Sequence, residues 1–545
     1  MSSTAELDET EVLVIGGGIA GCAIAYGLSQ AGRKVTMIER DLSEPDRIVG
    51  ELLQPGGVAA LEALGMADTL EGLDATPVEG YCVISGERQV EIPYPKIGEE
   101  VDAMLDLGEK EGHENGHADG VACRANGNGT NGTTNGERKA AAYWPVSSKS
   151  GKKEGRSFHH GRFIQSLRRK VATSSTTILE ATVRDLIYCP HSKQVIGVKC
   201  TAKGSAEEVK LYAPLTIIAD GCFSKFRSAP GAALPTPQLR SYFVGLVLKD
   251  TQLPIQNHGT VCLTPAGPVL LYQIGNEARE TRMLVDVKPV EGKLPSVADG
   301  SLKRHILDDF VPHLPPTLQA GVKHALDTDR LRSMPNSFLP PSMQGLSSGM
   351  SGAIMLGDAW NMRHPLTGGG MTVAFNDAVL LTRILAPSES LPAGREGLEK
   401  WDVISGRLQD WFWARKDLAG TVNVLSIALY DLFGGADGDL EVLREGCFRY
   451  FELGGECVAG PVGLLSGLRP EPFTLFWHFF KVAFYSIAIL FKFGKPGAKS
   501  KPGAAEWPAL VAYSFKVFWT ACVVFLPVML SELKSNTHRQ KKVAQ

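Results

Sequence analysis

"TEVLVIGGGIAGCAIAYGLSQAGRKVTMIERD", residues 10–41, is the stretch that decides the fold of the first part of this chain. The apolar run at 12–15 predicts a buried parallel strand, residues 19–30 predict a helix, and residues 34–38 predict a second strand. Gly16, Gly18 and Gly21 occupy the turn between the first strand and the helix. Because they lack side chains, a pyrophosphate could approach the free N–H groups of the helix N-terminus. The stretch therefore predicts a βαβ unit that binds a dinucleotide.

An acidic residue at the end of the second strand narrows the choice of dinucleotide. Glu39 stands where a carboxylate can accept a hydrogen bond from a ribose hydroxyl. This acid favours adenosine without a 2′-phosphate, so we expect FAD or NAD rather than NADP. A glycine turn that serves packing alone is the alternative, and Glu39 argues against it.

A second glycine-rich stretch, "GDAWNMRHPLTGGGMTVAFND" at 357–377, favours FAD over NAD. Its glycine triplet, Gly368, Gly369 and Gly370, gives up side-chain contacts, as expected where a ligand comes close to the backbone. We expect the triplet to clear space for an isoalloxazine ring and Asp358 to accept from a ribityl chain. A helix beginning near Met371 would point its N–H groups at the flavin. A free NAD needs none of these features.

Other residues near these turns have two interpretations each. Asp220, in "ADG" at 219–221, could accept from the same ribityl chain or could be an ordinary turn or capping acid. Arg47 could reach a pyrophosphate bidentately or could be a solvated surface arginine. Arg168 and Arg169 are neighbours on an amphipathic helix, and the pattern alone does not choose between them. We expect His364, before Pro365, to shape the turn rather than transfer protons.

Composition excludes several classes of partner and site. The formal net charge of −3 over 545 residues gives no sign of a nucleic-acid partner. The ten cysteines form no CxxC pair, and His159 and His160 have no ligand at metal-binding spacing, so no metal is expected. The polar start "MSSTAELDET" does not resemble a secretory signal. No second nucleotide fingerprint occurs, so we expect one flavin and no separate nicotinamide domain.

The order of patterns predicts an α/β fold. It combines a Rossmann-type FAD-binding domain, a β-sheet substrate domain and a helical, membrane-associated C-terminus. Residues 108–140 are rich in Gly and Asn and too poor in apolar residues to offset the entropy of ordering, so we expect a disordered surface insertion. The predicted segments are the FAD-binding domain in three parts (1–107, 141–235, 346–390), the insertion (108–140), the substrate domain (236–345), a helical region (391–470), hydrophobic anchoring helices (471–533) and a basic tail (534–545).

Two apolar stretches near the C-terminus, 472–493 and 507–530, approach the length that spans a membrane. Lys481 and Lys516 interrupt them, and a lysine in mid-bilayer is costly. The connector between the stretches and the tail after them are both basic, so two spanning helices would place basic segments on opposite sides. We therefore favour a hairpin that lies in one leaflet. Two spanning helices and a buried apolar helix pair are the alternatives.

Several motifs together resemble the squalene epoxidase family, over about residues 11–533 outside the insertion. They are "GGGIAG", "IERD", "EPDRIVGELLQPGG", "GRSFHHGRF", "ADGCFSKFR", "LRSMPNSFLPP", "GDAWNMRHPLTGGGMTVAFND" and "GGECVAGPVGLLSGL". The GxGxxG and GD patterns occur widely in flavoprotein hydroxylases, whereas "MRHPLTGGGMTVAF" and "GGECVAGPVGLLS" are particular to this family. The insertion departs from the family pattern.

The resemblance implies an FAD-dependent monooxygenase that converts squalene and O₂ to (S)-2,3-oxidosqualene in sterol biosynthesis, ergosterol included. It implies a flavin C4a-hydroperoxide and no catalytic side chain, because a hydrocarbon offers no acidic proton. NADPH-derived electrons would come from a separate partner, NADPH–cytochrome P450 reductase. The implied location is the endoplasmic reticulum membrane, among membrane lipid, with the catalytic domain facing the cytoplasm, and lipid droplets are a second location.

Matched motif by motif, the resemblance also implies contacts to FAD and to the substrate. The implied FAD contacts, beside the glycines of the two turns, are Ile19, Ala20, Glu39, Arg40, Arg47, Leu52, Arg168, Val183, Asp358 and Met371. Gln54 and Tyr81 match a hydrogen-bonded pair at the edge of the family's substrate pocket. Candidates for an apolar wall around the substrate, each of which could equally be core packing, are Tyr81, Phe223, Phe338, Leu339, Pro340 and Leu366.

Two other functions stay open at this point. Another flavoprotein that acts on an isoprenoid, such as a prenyl-chain reductase, would share the nucleotide turn. A non-catalytic relative that binds prenylated proteins would share the scaffold but lose flavin contacts.

Overall fold

The computed structural model describes residues 9–95, 153–232, 234–289, 293–434, 438–498 and 501–533. The predicted insertion at 108–140 and the predicted basic tail at 534–545 lie outside these residues. The strands are β1 (Val12–Ile15), β2 (Val35–Glu39), β3 (Leu52–Leu53), β4 (Thr76–Val78), β5 (Gly80–Ser85), β6 (Arg88–Pro93), β7 (Gly155–Ser157), β8 (Thr177–Tyr188), β9 (Val195–Ala202), β10 (Glu208–Tyr212), β11 (Leu215–Ile218), β12 (Gln238–Lys249), β13 (His258–Thr264), β14 (Gly267–Gly275), β15 (Glu280–Val287), β16 (Arg332–Phe338) and β17 (Ala353–Met355). The helices are α1 (Ile19–Gln30), α2 (Pro55–Leu64), α3 (His160–Ala172), α4 (Ser301–His305), α5 (Pro316–Thr328), α6 (Gly370–Leu385), α7 (Arg395–Glu399), α8 (Trp401–Ala414), α9 (Lys416–Gly434), α10 (Gly438–Glu452), α11 (Glu456–Leu465), α12 (Pro472–Phe493) and α13 (Trp507–Leu533).

The predicted βαβ unit is present and lies at the centre of the first sheet. Among the described residues this sheet has seven strands, in the order β10-β9-β8-β2-β1-β11-β17. β1 pairs in parallel with β2 on one side and with β11 on the other. All four residues of β1 are buried, as expected for a parallel strand covered on both faces. The carboxyl ends of β1, β11 and β17 therefore meet at one edge of the sheet. The loops that carry the first glycine turn, Asp220 and Asp358 begin at this edge.

The second sheet contains the strands predicted for the substrate domain and two more. Its order within the described residues is β16-β12-β15-β14-β13-β5-β6. The strands β12 to β16 come from the predicted 236–345 segment, whereas β5 and β6 precede the insertion. β5 enters the sheet by pairing in parallel with β13, with His258 opposite Gly80. The chain thus enters the second sheet from the segment assigned to the first part of the FAD-binding domain. The predicted α/β class with a β-sheet substrate domain is confirmed, while the exact domain boundaries stay a prediction.

The C-terminal part of the described chain is helical, from α7 to α13. The two predicted apolar stretches form α12 and α13, which pack against α10 and α9 respectively and against each other. Both helices are long and apolar enough to cross a membrane by length and composition. Large side chains on them face outward, with Phe515 74% and Trp519 70% exposed. A fully buried helix pair is therefore ruled out.

Candidate active site

A large cavity lies between the carboxyl edge of the first sheet and the face of the second sheet. Its volume is about 860 Å³, within the range of ligand pockets in proteins. The site residues predicted from sequence that line it are Gly16, Gly18, Ile19, Ala20, Glu39, Arg40, Arg47, Leu52, Tyr81, Arg168, Val183, Asp220, Phe223, Asp358, Leu366, Gly368, Gly370 and Met371. The loops after β1, β11 and β17 thus come together around one space, although they are more than 100 residues apart in sequence.

The glycines of the first turn have three different structural roles. Gly16 has φ +100°, and a Cβ there would lie 2.5 Å from the carbonyl oxygen of Ala219. A Cβ on Gly21 would collide with the carbonyl oxygen of Gly16, so Gly21 allows α1 to pack on the turn without lining the cavity. Gly18 has no atom within 4 Å of the position of a Cβ and faces the cavity. A side chain at Gly18 would fill the space that a pyrophosphate needs at the N-terminus of α1.

Glu39 and Arg168 fix the shape of this turn. A Glu39 carboxylate oxygen (Oε2) accepts from the backbone N–H of Gly17 at 2.6 Å. The guanidinium of Arg168 donates to the carbonyl oxygen of Gly17 at 2.9 Å and lies 3.6 Å from the same carboxylate oxygen. Arg168 is buried and lines the cavity, whereas Arg169 is exposed and does not. The pairing leaves Glu39 at the cavity wall, where it could also accept from a ribose hydroxyl.

Arg227 joins the two loops that carry Asp220 and Asp358. Its side chain donates to the carbonyl oxygens of Gly221 and Cys222 in one loop, at 3.1 and 2.7 Å. It also donates to those of Asp358 and Ala359 in the other loop, at 2.9 and 3.0 Å. Asp220 lies beside this junction, and its Oδ1 is buried without a hydrogen-bond partner in the protein. An orphaned carboxylate oxygen next to the cavity fits a site that accepts hydroxyl donors from a ligand.

Asp358 lines the cavity, and the charges of three arginines act on its carboxylate. Solvent within the cavity reaches it, but protein encloses it on the other sides, and this enclosure raises its pKa. Arg363, Arg47 and Arg227 act in the opposite direction. Burial likewise lowers the pKa of Arg363 to about 10, while Asp358 opposes that shift. The cluster combines several cationic donors with one acceptor, which suits the phosphates and hydroxyls of a dinucleotide.

The three glycines at 368–370 do not all clear space for a ligand, as the sequence had suggested. Gly368 has φ +62° and packs against Leu52. A Cβ on Gly369 would collide with the Val422 side chain of α9, and Gly369 does not line the cavity. Gly370 alone of the three has open space where its Cβ would be. Protein side chains, rather than a ligand, therefore exclude a side chain at Gly368 and Gly369, and the predicted free space exists at Gly370. The predicted cofactor contacts of the three glycines stay a prediction.

Beyond the glycine turn, Tyr81 presents its ring to the cavity and its hydroxyl to the protein. The expected hydrogen bond between Gln54 and Tyr81 is present, with the Gln54 amide donating to the Tyr81 hydroxyl. The same amide donates to the carbonyl oxygen of Thr367 at 2.9 Å, and Tyr94 donates to its oxygen at 2.6 Å. Burial raises the pKa of Tyr81 to about 12, so the phenol stays neutral. Gln54 itself does not line the cavity.

Of the other candidates for an apolar wall around the substrate, some line the cavity and others do not. Leu366 is buried and lines the cavity, and Phe223 lines its rim with 73% of its surface exposed. Phe338, Leu339 and Pro340 do not line the cavity. The preceding residues of β16, at 334–337, line it instead. The more apolar run "FLPP" begins only at the last residue of β16, so the cavity is lined by the part of the strand that precedes it.

The predicted turn-shaping role of His364 agrees with its contacts. His364 Nδ1 accepts from the backbone N–H of Leu366 at 3.2 Å, which places the ring proton on Nε2. Nε2 then donates to the Ser241 hydroxyl at 3.0 Å, and burial lowers the pKa of His364. His160 is also buried, and its Nδ1 lies 2.9 Å from the carbonyl oxygen of Gly50. His159 lies 2.7 Å from Glu280.

Two arginines at the site were missed by sequence reasoning. Arg227 and Arg363 both lie beside motifs that were singled out, in "ADGCFSKFR" and "NMRHPLTGGG". No spacing rule distinguishes them from surface arginines, because each is held in part by a partner more than 50 residues away. For Arg227 this is the loop at 358–359, and for Arg363 it is the Asn423 side chain. The one usable signal was their position within two of the motifs that carry the resemblance.

Comparison with known proteins identifies the family to which this chain belongs. The sequence model described as squalene epoxidase matches residues 212–500, and that of FAD dependent oxidoreductase matches residues 11–46. Squalene epoxidase erg1 of Aspergillus fumigatus is 41% identical over 526 residues, which cover 96% of this chain and 94% of that protein. The chain belongs to the squalene epoxidase family. Squalene monooxygenase of Mus musculus is 39% identical over 538 residues, which cover 98% of this chain and 80% of that protein.

Solved structures show the same fold as this squalene epoxidase family member. The flavin-dependent brominase Bmp2 aligns with a TM-score of 0.59 at 15% identity, over 87% of this chain and 98% of that one. HpxO of Klebsiella pneumoniae, solved with FAD and uric acid, aligns with a TM-score of 0.56 at 16% identity, over 84% and 97% of the two chains. At such low identity these likenesses show the flavin-dependent monooxygenase fold alone.

Proposed function

We propose that this chain binds FAD in the cavity and uses it to epoxidise squalene with O₂, giving 2,3-oxidosqualene. One observation carries the proposal. A single cavity connects a dinucleotide turn to an apolar sheet face whose polar side chains bond away from the cavity. The membership of the squalene epoxidase family and the names of its relatives agree with that combination.

The residues of the first sheet fit FAD by their chemistry. The N-terminus of α1 would take the pyrophosphate above Gly18, with Arg47 as a cationic neighbour. Glu39 would accept from the adenosine ribose. Asp220 and Asp358 would accept from the hydroxyls of the ribityl chain. The isoalloxazine would then lie against Gly370 and the start of α6, close to the Tyr81 ring.

The protein's own part in the reaction is positioning rather than acid–base catalysis. FAD, once reduced, supplies the electrons that activate O₂. Squalene offers no charged group or acidic proton, so its selection depends on shape and proximity. The Tyr81 phenol is neutral and its hydroxyl bonds to Gln54 and Thr367, away from the cavity, so this part of the wall would be apolar. The same wall would exclude water from the reacting alkene.

We propose further that the electrons come from a separate NADPH-dependent reductase, NADPH–cytochrome P450 reductase by the family resemblance. The sequence has one nucleotide fingerprint, at Gly16 to Gly21, and no second one for a nicotinamide cofactor. An enzyme of this composition needs a partner that carries NADPH-derived electrons to its flavin.

We also propose that α12 and α13 lie in the cytoplasmic leaflet of the endoplasmic reticulum membrane, or on lipid droplets, rather than crossing the bilayer. α13 is buried on one stripe along its whole length, at Leu510, Val517, Ala521, Phe525 and Glu532. That stripe packs on α9, α10 and α12, so the helix runs along the helical region and turns only its other face to lipid. Lys516, whose charge interrupts α13, pairs its Nζ with Asp439 of α10 at 3.0 Å, which lowers the cost of placing this lysine beside lipid.

The function is tested with detergent-solubilised full-length protein, squalene, FAD, NADPH and a P450 reductase. We expect 2,3-oxidosqualene under air and none without O₂ or without the reductase. Saturation of an alkene under anaerobic conditions would instead identify a prenyl-chain reductase. A purified protein that takes up no FAD would identify a non-catalytic relative. Absence of oxidosqualene under air, with FAD bound, overturns the proposed reaction.

A further inference from the structure

A line of buried polar contacts connects the end of the last apolar helix to the cavity wall. Glu532, in the last turn of α13, is 4% exposed, and its Oε1 accepts from the Asn423 amide of α9 at 2.8 Å. The Asn423 oxygen accepts from the guanidinium of Arg363 at 2.9 Å. Arg363 then reaches the carbonyl oxygens of Gly369 and Gly370, at 3.4 Å each. Arg363 and Gly370 line the cavity.

Each member of this line is buried and has a partner on both sides. Asn423 is fully buried, so its amide would lose a hydrogen bond without compensation if Glu532 moved away. The second oxygen of Glu532 accepts from Lys416 at 2.6 Å, at the first residue of α9. Val422, next to Asn423, packs directly on Gly369. One segment of α9 thus touches the anchoring helix through one residue and the glycine turn through its neighbour.

We propose that Glu532 is a positioning residue for the cofactor site, which transmits the docking of α13 through Asn423 and Arg363 to the turn at 368–370. An α13 that is seated on the catalytic part holds Arg363 in place, and Arg363 holds the two carbonyls that set the start of α6. When the last turn of α13 leaves this contact, the Asn423 amide keeps its bond to Asn361 but loses the one to Glu532, and Arg363 is held less firmly at the turn. The proposal rests on FAD binding in this cavity, as proposed above.

The experiment compares four single variants and one double variant in the full-length, detergent-solubilised protein: substitutions at Glu532, Asp439 and Asn423, and E532L combined with Asn423→Ala. Glu532→Leu removes both acceptors, whereas Glu532→Gln keeps an amide oxygen that can still accept from Asn423. Asp439→Leu is the matched control, because Asp439 is a buried acid that ties α13 to α10 through Lys516 and Thr520, with no contact to Arg363 among the described residues. FAD affinity is measured by flavin fluorescence, together with the flavin absorption spectrum and the unfolding temperature of the apoprotein.

We expect E532L to weaken FAD binding roughly fivefold or more and to alter the flavin spectrum. E532Q and D439L should change FAD affinity by less than about twofold, although D439L lowers the unfolding temperature. E532L and Asn423→Ala should not be additive, since they break the same line. Equal losses in E532L and D439L, an unchanged E532L, or an E532Q as weak as E532L would each overturn the proposal.

Amide hydrogen exchange provides a second measurement of the proposed effect, which can be made even if E532L binds little FAD. Exchange at 363–371 should rise in E532L and stay at the wild-type level in D439L, and equal exchange in the two overturns the proposal. A wild-type protein that does not bind FAD would contradict the proposed function itself. A wild-type protein that binds FAD, beside an E532L that behaves like D439L, would contradict only this inference.

Discussion

At the scale of single residues, Asp358 offers the most direct test of the cofactor site. The charges of Arg363, Arg47 and Arg227 act on its carboxylate, and Asp358→Ala removes both that negative charge and the proposed acceptor for the ribityl hydroxyls. We expect D358A to weaken FAD binding by about 10- to 100-fold, the effect of losing a hydrogen bond to a charged group. The measurement is the flavin absorbance that stays with the protein after gel filtration.

Asp431→Ala serves as the control for that variant. Asp431 is half-buried and pairs with Arg240 at 3.2 Å, and it does not line the cavity. D431A should retain the yellow colour of the wild type. Normal colour and affinity in D358A would show that Asp358 does not contact the cofactor.

His160 predicts how stability responds to acid. Burial lowers its pKa to about 4, from about 6.5 in the unfolded chain, and Arg47 and Arg168 add to the effect of burial. Between these two pH values the unfolded state binds more protons than the folded state, so stability falls as the pH falls. The contribution is fully present above pH 6.5 and reaches a loss of about 3 kcal/mol near pH 4.

The measurement is the free energy of unfolding of wild type and His160→Asn from pH 7 to pH 4. An asparagine can still donate to the Gly50 carbonyl but does not titrate, so the H160N curve should be flatter over this range. Parallel curves for the two proteins would mean that another group causes the acid sensitivity.

At the scale of elements, the junction of the glycine turn with α6 and α9 separates packing from ligand binding. Gly369→Ala would drive a methyl group into Val422, and we expect a loss of about 1–3 kcal/mol of stability. Val422→Ala in the same chain should restore much of it. Gly370→Ala has open space for its methyl, so the apoprotein should keep its stability while FAD binds more weakly.

Thermal unfolding of the apoprotein and FAD titration measure the two effects separately. A stable G369A, or a G370A that binds FAD normally, would contradict this division of roles. The two variants, G369A and G370A, thus serve as controls for each other.

The same junction illustrates what could be predicted from sequence. The strand, glycine turn and helix at 12–30 follow from local periodicity, and the structure has them at the predicted residues. The closure of the cavity does not follow, because it depends on partners far apart in the chain. Arg227 bonds to Asp358 across 131 residues, and β5 finds β13 on the far side of the insertion. Such pairings leave no periodic signal in a single sequence.

The role of each glycine in the triplet at 368–370 also could not be predicted from the sequence. Three consecutive glycines predict close approach by something, and the pattern cannot say whether that is a ligand or a helix. At Gly369 it is Val422 of α9, and at Gly370 it is the cavity. Only the tertiary arrangement distinguishes the two cases.

At the scale of the whole molecule, the proposed position of α12 and α13 makes a topological prediction. A hairpin in one leaflet keeps both the connector near residue 497 and the C-terminus in the cytoplasm, whereas two spanning helices would place the connector in the lumen. We expect that N-glycosylation acceptor sites, added with short spacers to the connector or to the C-terminus, stay unmodified in cells.

The readout is the electrophoretic mobility with and without a deglycosylase, and the same acceptor in a secreted reporter is the positive control. Modification of the connector site alone would show that the two helices span the bilayer. Activity of both tagged proteins in microsomes would show that the added segments leave the fold intact.

The bonds made by Arg227 have a consequence for the energetics of cofactor binding. They involve protein atoms alone, so the loops after β11 and β17 are held together by the chain itself rather than by a ligand. A binding site whose loops are already in place loses little conformational entropy when its ligand binds. Little of the free energy of binding FAD would therefore be spent on ordering these two loops.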